Sequence, residues 1–173
     1  MKNAKIKIGV LGGSFDPAHK GHLAISKEAK IRFKLKKIIW AITKKNPFKM
    51  KSKTSVTERI KYCKKIIGTN SFIKVKFYED IIKSNKTINL INHLKKNKNI
   101  EIYFLMGADN LIDFHKWHKS KLISRKCNIL VFDRHGYKKN SLKSKTFKQL
   151  SKANLEFIEF NKVNISSSQL RKI

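Results

Sequence analysis

Two histidines three residues apart, His19 and His22, follow a glycine pair in the stretch Ile8–His22, IGVLGGSFDPAHKGH. Apolar Ile6, Ile8, Val10 and Leu11 lead into Gly12 and Gly13. Ser14, Phe15, Asp16 and Pro17 then make a compact turn, and Leu23, Ala24, Ile25 and Ala29 continue at helical spacing. A strand, a tight loop and a helix start leave backbone N–H groups pointing at an anion. Glycines without a Cβ let those amides approach phosphate oxygens closely. The helix dipole adds roughly half an elementary positive charge at the same place. At i and i+3, both imidazoles project from one face of the first helical turn. There they can donate hydrogen bonds to oxygens that gain charge in phosphoryl or nucleotidyl transfer. The plain alternative is a βα turn with two surface histidines, one of them a helix cap.

The elements that would position this loop alternate along the chain. A helix is expected over about Lys20–Phe33 and a strand over Lys37–Ile42, with a Lys-rich loop over Thr43–Thr54 that Pro47 bars from regular structure. Ser55 or Thr57 can cap a helix whose apolar face is Val56, Ile60, Cys63, Ile66 and Ile67, ended by Gly68. Phe72–Phe77 alternates as a strand, and Thr87 is placed to cap a helix carrying Ile88, Leu90, Ile91 and Leu94. Ile100–Met106 reads as a strong strand closed by Gly107, with Asp109 near the positive end of the helix that follows. Asn128–Phe132 and Leu155–Phe160 read as further strands, the tract Tyr137–Lys152 as partly helical, and Ile165–Ser168 as the start of a closing helical turn. This alternation implies an α/β fold, a doubly wound and mostly parallel sheet with helices on both faces, formed by residues 1–173 as a single domain. Ligands of such sheets bind beyond the carboxyl ends of the strands, where Gly12, Gly13, Gly107 and Ser166 all fall.

Composition narrows the class. With 173 residues and 40% hydrophobic content the chain can bury a real core. No apolar stretch approaches the ~18 residues of a membrane span and no leader is visible, so a cytoplasmic location is expected. Cys63 and Cys127 lack metal-ligand spacing and read as reduced, buried apolar residues. A net charge of +30 would ordinarily suggest nucleic acid, but the excess is spread along the chain as Lys. It has no interleaved aromatic surface or RNA motif, which argues against a specific nucleic-acid partner. A positive field would still attract phosphorylated substrates.

Two further stretches carry chemistry. Ile165–Arg171, ISSSQLR, sets three hydroxyls at a helix start with an arginine one turn later, a grip suited to polyphosphate or else a plain serine cap. Met106–His118, MGADNLIDFHKWH, places Asp109 and Trp117 after a strand. Trp117 is either a ring for stacking a base or an aromatic packing residue at a helix end.

Together these strings resemble a known family. GGSFDPAHKGH is similar to the (G)xFDPxHxGH motif of the nucleotidyltransferase superfamily, and ISSSQLR to its ISS(T/S)xxR motif. GADNLIDFHKW resembles a segment of bacterial nicotinate-nucleotide adenylyltransferases. The resemblance implies that His19 and His22 stabilise α-phosphate oxygens, with Arg171, Ser166 and Ser167 on the β- and γ-phosphates. Gly12, Gly13, Ser14 and Phe15 would line the ATP site by backbone contact, and Ile165 would belong to the same site. Arg134, in FDRHGY where His135 replaces the family's Pro, would lie by the adenine. On the mononucleotide side the family places Lys49, Thr87, Gly107, Asp109 and Trp117, although Lys86 replaces the usual Tyr before Thr87. The Glu58-Arg59 pair reads as structural, and His115 and His118 as framework or surface residues. Relatives continue past the arginine with a final helix, whereas this sequence ends at Ile173.

The implied reaction joins ATP to nicotinate mononucleotide, giving nicotinate adenine dinucleotide and pyrophosphate, with Mg²⁺ carried by ATP. The residues themselves leave open nicotinamide mononucleotide or phosphopantetheine as acceptor, and a basic RNA-binding module as the reading from another class. They say nothing of oligomeric state.

Overall fold

The computed structural model describes residues 3–45, 52–150 and 154–159. Six strands, β1 (Ile6–Gly13), β2 (Lys37–Ile42), β3 (Ile73–Lys76), β4 (Ile100–Gly107), β5 (Asn128–Phe132) and β6 (Leu155–Ile158), form one sheet in the order β3-β2-β1-β4-β5-β6. Every pairing is parallel. Between them run α1 (Lys20–Phe33), α2 (Val56–Ile67), α3 (Glu79–Ile82), α4 (Thr87–Leu94), α5 (Ala108–Asp113), α6 (Ser120–Lys126), α7 (Lys138–Lys143) and α8 (Lys145–Leu150).

A two-residue period along the strands builds a core on each face of the sheet. Val10, Ile39, Ala41, Phe104 and Val131 face Ile91, Leu111 and Ile123 of α4, α5 and α6. Leu11, Ile38, Trp40, Leu105 and Leu130 face Ala29, Cys63 and Ile67 of α1 and α2. The chain runs from β1 to β2 on one side and returns to β4 on the other, so the strand order reverses between β1 and β4. A crevice must open at the carboxyl ends of these two strands, where ligands of doubly wound sheets sit.

Several boundaries differ from those expected. Gly12 and Gly13 complete β1, paired with Ala41 and Ile42, because β2 is long enough to carry the ladder to its end. Thr87 is the first residue of α4 and Lys86 occupies the cap position without a side-chain bond, so Thr87 does not cap the helix. The strand expected over Phe72–Phe77 is confined to Ile73–Lys76, the residues that pair with Ile38–Ala41 of β2. The tract after Tyr137 holds two short helices.

Candidate active site

The histidines are held by each other and by their own helix. His19 is the N-cap of α1: its Nδ1 accepts the Gly21 N–H at 3.1 Å. His22, three residues on, accepts the His19 N–H on its own Nδ1 at 3.1 Å. This is a capping box built from two imidazoles in place of a hydroxyl and a carboxylate. His19 is therefore the helix cap, buried and not at the surface, and each ring uses its Nδ1 for the helix. A neutral imidazole that accepts at Nδ1 carries its hydrogen at Nε2. Both histidines are thus set as Nε2–H donors.

Aromatic rings fix where those donors lie. The His19 and His22 centroids are 3.8 Å apart, and Phe15 lies 4.7 Å from His22. Phe15 in turn stacks on Trp40 at 5.0 Å with 16° between planes. Phe15 and Trp40 are buried, and Trp40 donates through Nε1 to Ser26 Oγ at 2.9 Å, which donates to the His22 carbonyl at 2.8 Å. Trp40 on β2 is therefore a pedestal for the histidine face, joined to it by stacking and by hydrogen bonds.

The loop between β1 and α1 is clamped from below. Asp16, 5% exposed, accepts the Lys53 N–H at 2.9 Å and the Thr54 hydroxyl at 2.7 Å. Arg59 of α2 donates to the carbonyl of Ser14 at 2.6 Å and to that of Thr43 at 2.8 Å. Ser55 and Glu58 form the capping box that starts α2, fixing where Arg59 enters. Their hydrogen bonds also hold the exposed Glu58 carboxyl below its usual range.

Across the crevice, Asp109 near the start of α5 accepts from Arg134 Nη1 at 2.6 Å. Its other oxygen, Oδ1, is buried with no hydrogen-bond partner among the described residues, so the ion pair is what orients the side chain. Residues expected on opposite substrates thus touch. Trp117 is half-buried, edge-on to Phe104 at 6.1 Å and tilted against Phe114 at 5.1 Å. Phe104 also underlies Gly12, where a Cβ would meet its ring at 3.6 Å. His115 bonds the Ile112 carbonyl and Thr146 hydroxyl through Nδ1, and His118 is exposed, consistent with framework and surface roles.

The structure therefore gathers Gly12, Gly13, Ser14, Phe15, His19 and His22 at the junction of β1 and α1 and joins Asp109 to Arg134. Gly107 ends β4 beside Asp109, whose Oδ1 would lie 2.5 Å from an added Cβ. Thr87 is the first residue of α4, and no hydrogen bond joins its side chain to the other candidates among the described residues. Lys49, Ile165, Ser166, Ser167 and Arg171 lie outside the described residues. Sequence reasoning missed Trp40, Ser26 and Asp16 as supports and took Arg59 only as structural. The signal for Arg59 was its place on the apolar stripe of α2, one turn from both Val56 and Cys63. Among the described residues no cluster of three or more His, Cys, Asp or Glu could hold a metal ion, and no helix is long and apolar enough to cross a membrane.

Comparison with known proteins agrees with this architecture. Residues 10–173 match the cytidylyltransferase-like family. A Pelagibacter ubique (strain HTCC1062) protein named "Probable nicotinate-nucleotide adenylyltransferase" is 67% identical over 173 residues, covering 100% of this chain and 96% of the relative. A Clostridium botulinum protein of the same name is 34% identical, covering 96% of this chain and 84% of its own length. The fold is shared with the nicotinic acid mononucleotide adenylyltransferase of Plasmodium falciparum, solved with NaAD, at a TM-score of 0.78 and 23% identity. That likeness covers 96% of this chain and 82% of the other. Placed over its full length among such relatives, the chain belongs to the nicotinate-nucleotide adenylyltransferase family.

Proposed function

We propose that the chain transfers the adenylyl group of ATP to nicotinate mononucleotide, the adenylylation step of NAD synthesis. The observation that supports this reading is the paired capping of His19 and His22, which commits both Nδ1 atoms to the first turn of α1 at the carboxyl end of β1. The 5′-phosphate oxygen of the mononucleotide attacks the α-phosphorus of ATP, a new P–O bond forms, and the bond to the β-phosphate oxygen breaks. Pyrophosphate leaves with the electron pair. The nucleophile is already an anion at neutral pH, so alignment and charge stabilisation are the enzyme's contribution. His19 and His22 donate to the α-phosphate oxygens, whose charge grows as the fifth bond forms. Gly12, Gly13, Ser14 and Phe15 present backbone to the same phosphates. Mg²⁺ carried by ATP would supply positive charge against the pyrophosphate leaving group.

Asp109 and Trp117 take the mononucleotide ribose and ring with Gly107, Thr87 and Lys49, while Arg134 lies by the adenine. Arg171, Ser166, Ser167 and Ile165 complete the polyphosphate site. The residue types support these roles: hydroxyls and a guanidinium suit phosphate, a carboxylate suits ribose hydroxyls, and an indole suits a planar ring. The test is product analysis. ATP labelled in its α-phosphate, incubated with Mg²⁺ and nicotinate mononucleotide, should place its label in the dinucleotide. Label recovered only in ATP or AMP would reject the reading.

A further inference from the structure

The Arg59 side chain lies under both loops that flank the β1/β2 end of the crevice. The residue is 3% exposed, yet its guanidinium meets three main-chain carbonyls from two separate segments. Nη1 donates to Ser14 after β1 and to Thr43 after β2, and Nη2 to Lys44 at 3.3 Å. Glu79 fixes the second segment from the far side by accepting from the Thr43 hydroxyl and, at 3.2 Å, from the Lys44 N–H. Burial pushes the Arg59 guanidinium below its ordinary value, while Asp16, Cys63 and Glu79 oppose that shift.

A trans peptide unit points its carbonyl and its N–H in opposite directions. With the Ser14 carbonyl drawn to Arg59, the N–H of Phe15 must face away from α2. Phe15 also has φ of 50°, a left-handed conformation that costs a bulky residue energy and persists only where the surroundings impose it. Two things impose it here: the stacked burial of its ring and the pull on the preceding carbonyl. Lysine could replace the charge but not the planar fork that reaches several carbonyls at once.

We propose that Arg59 is a positioning residue for adenylyl transfer, setting the Ser14–Phe15 peptide so that its N–H meets nucleotide phosphate and locking that loop to the Thr43–Lys44 segment. This rests on the transfer reading above for its chemistry. It predicts that loss of the fork slows the reacting step more than it weakens the fold, because a misplacement of about 1 Å costs up to about 100-fold in rate.

The test compares Arg59→Lys with Ile67→Val, a packing change on the same helix, and with Glu79→Gln, which slackens only the Thr43–Lys44 side. Each is measured for melting temperature, kcat, KM for both substrates and affinity for a nonhydrolysable ATP analogue. At a temperature where all are folded, Arg59→Lys should lose about 10- to 100-fold in kcat. Its Phe15 amide resonance should move in the ligand-free protein. Glu79→Gln should lose less, and Ile67→Val nothing in kcat. Wild-type kcat in folded Arg59→Lys overturns the proposal, as does an unmoved Phe15 amide. If Arg59→Lys does not fold, unchanged kcat in Glu79→Gln overturns it and reduced kcat supports it. A wild-type protein that transfers no adenylyl group would reject the transfer reading instead, while the amide resonance and analogue affinity would still decide the role of Arg59.

Discussion

His22 accepts the backbone N–H of His19 at 3.1 Å through Nδ1, so the second histidine holds the first at the head of α1. With His19 Nδ1 committed to Gly21 in the same way, both rings are expected as Nε2–H tautomers. Long-range ¹H–¹⁵N spectra of the ligand-free protein should show protonated Nε2 and bare Nδ1 at both positions. The variant His19→Asn separates the two duties of the ring. Asn caps helices well, so stability should hold to within a few tenths of a kcal/mol, whereas His19→Ala should cost about 1 kcal/mol. Both should lose about 100-fold in kcat, as should His22→Ala, the scale of losing one transition-state donor. Near-normal turnover in His19→Asn would leave that histidine as a cap alone.

Gly9 and Gly12 lie on one strand and serve different ends. A Cβ at Gly9 would come within 3.1 Å of Leu35 and 3.2 Å of Ile38, so Gly9→Ala should destabilise the fold by about 1–3 kcal/mol. At Gly12 a Cβ would make only ordinary contact with Phe104, and the position is exposed at the strand's carboxyl end. Nothing among the described residues excludes a side chain there. Gly12→Ala should melt with the wild type and lose at least about tenfold in kcat/KM for ATP, because the excluded partner is substrate phosphate. Denaturant curves and steady-state rates on the two variants check this, and a fully active Gly12→Ala would contradict it.

The ion pair of Arg134 and Asp109 joins residues assigned to different substrates. Arg134→Ala should therefore raise the KM for the mononucleotide as well as for ATP, because Asp109 loses the group that orients it. Asp109→Asn should act in the same two directions. If each substitution moved the KM of one substrate alone, the pair would be a surface contact and not a link between subsites.

Cys63 and Cys127 are 0% and 4% exposed, and burial pushes each thiol from 9.0 up to about 12. The folded protein thus keeps protons that the unfolded chain releases above pH 9.0, and stability must fall as pH rises from there towards 12. Below that window the two thiols contribute no pH dependence. Urea midpoints from pH 8 to 11 should fall less steeply in Cys63→Ala/Cys127→Ala than in the wild type. Parallel slopes would mean that the thiols titrate alike in both states.

The strands and the histidine loop were legible because both rest on local pattern. KIIWAI and IEIYFLM are short runs rich in β-branched and aromatic residues, the pattern of buried strands, and a glycine pair before His at i and i+3 marks a strand, a tight loop and a helix start. What was not legible depends on partners distant in sequence. Trp40 looks like one more core aromatic until β2 sets it beside Phe15, and Ser26 looks like a helix surface residue until Trp40 reaches it. Arg59 did carry a local sign, a charge on an apolar stripe, but its three carbonyl partners come from segments that only the parallel pairing of β1 and β2 brings together. Thr87 failed as a cap for a simpler reason: a hydroxyl near a helix start is a frequent cap, and here the helix begins one residue earlier than a Thr cap requires.

The most direct test of the central claim is pyrophosphate release by the purified protein with Mg-ATP and each of three acceptors: nicotinate mononucleotide, nicotinamide mononucleotide and phosphopantetheine. Adenylyl transfer to the nicotinate nucleotide predicts release with the first at least about tenfold faster than with the second, a difference of about 1.4 kcal/mol in transition-state stabilisation, and none with the third. Release with phosphopantetheine alone, or with no acceptor at all, would contradict it.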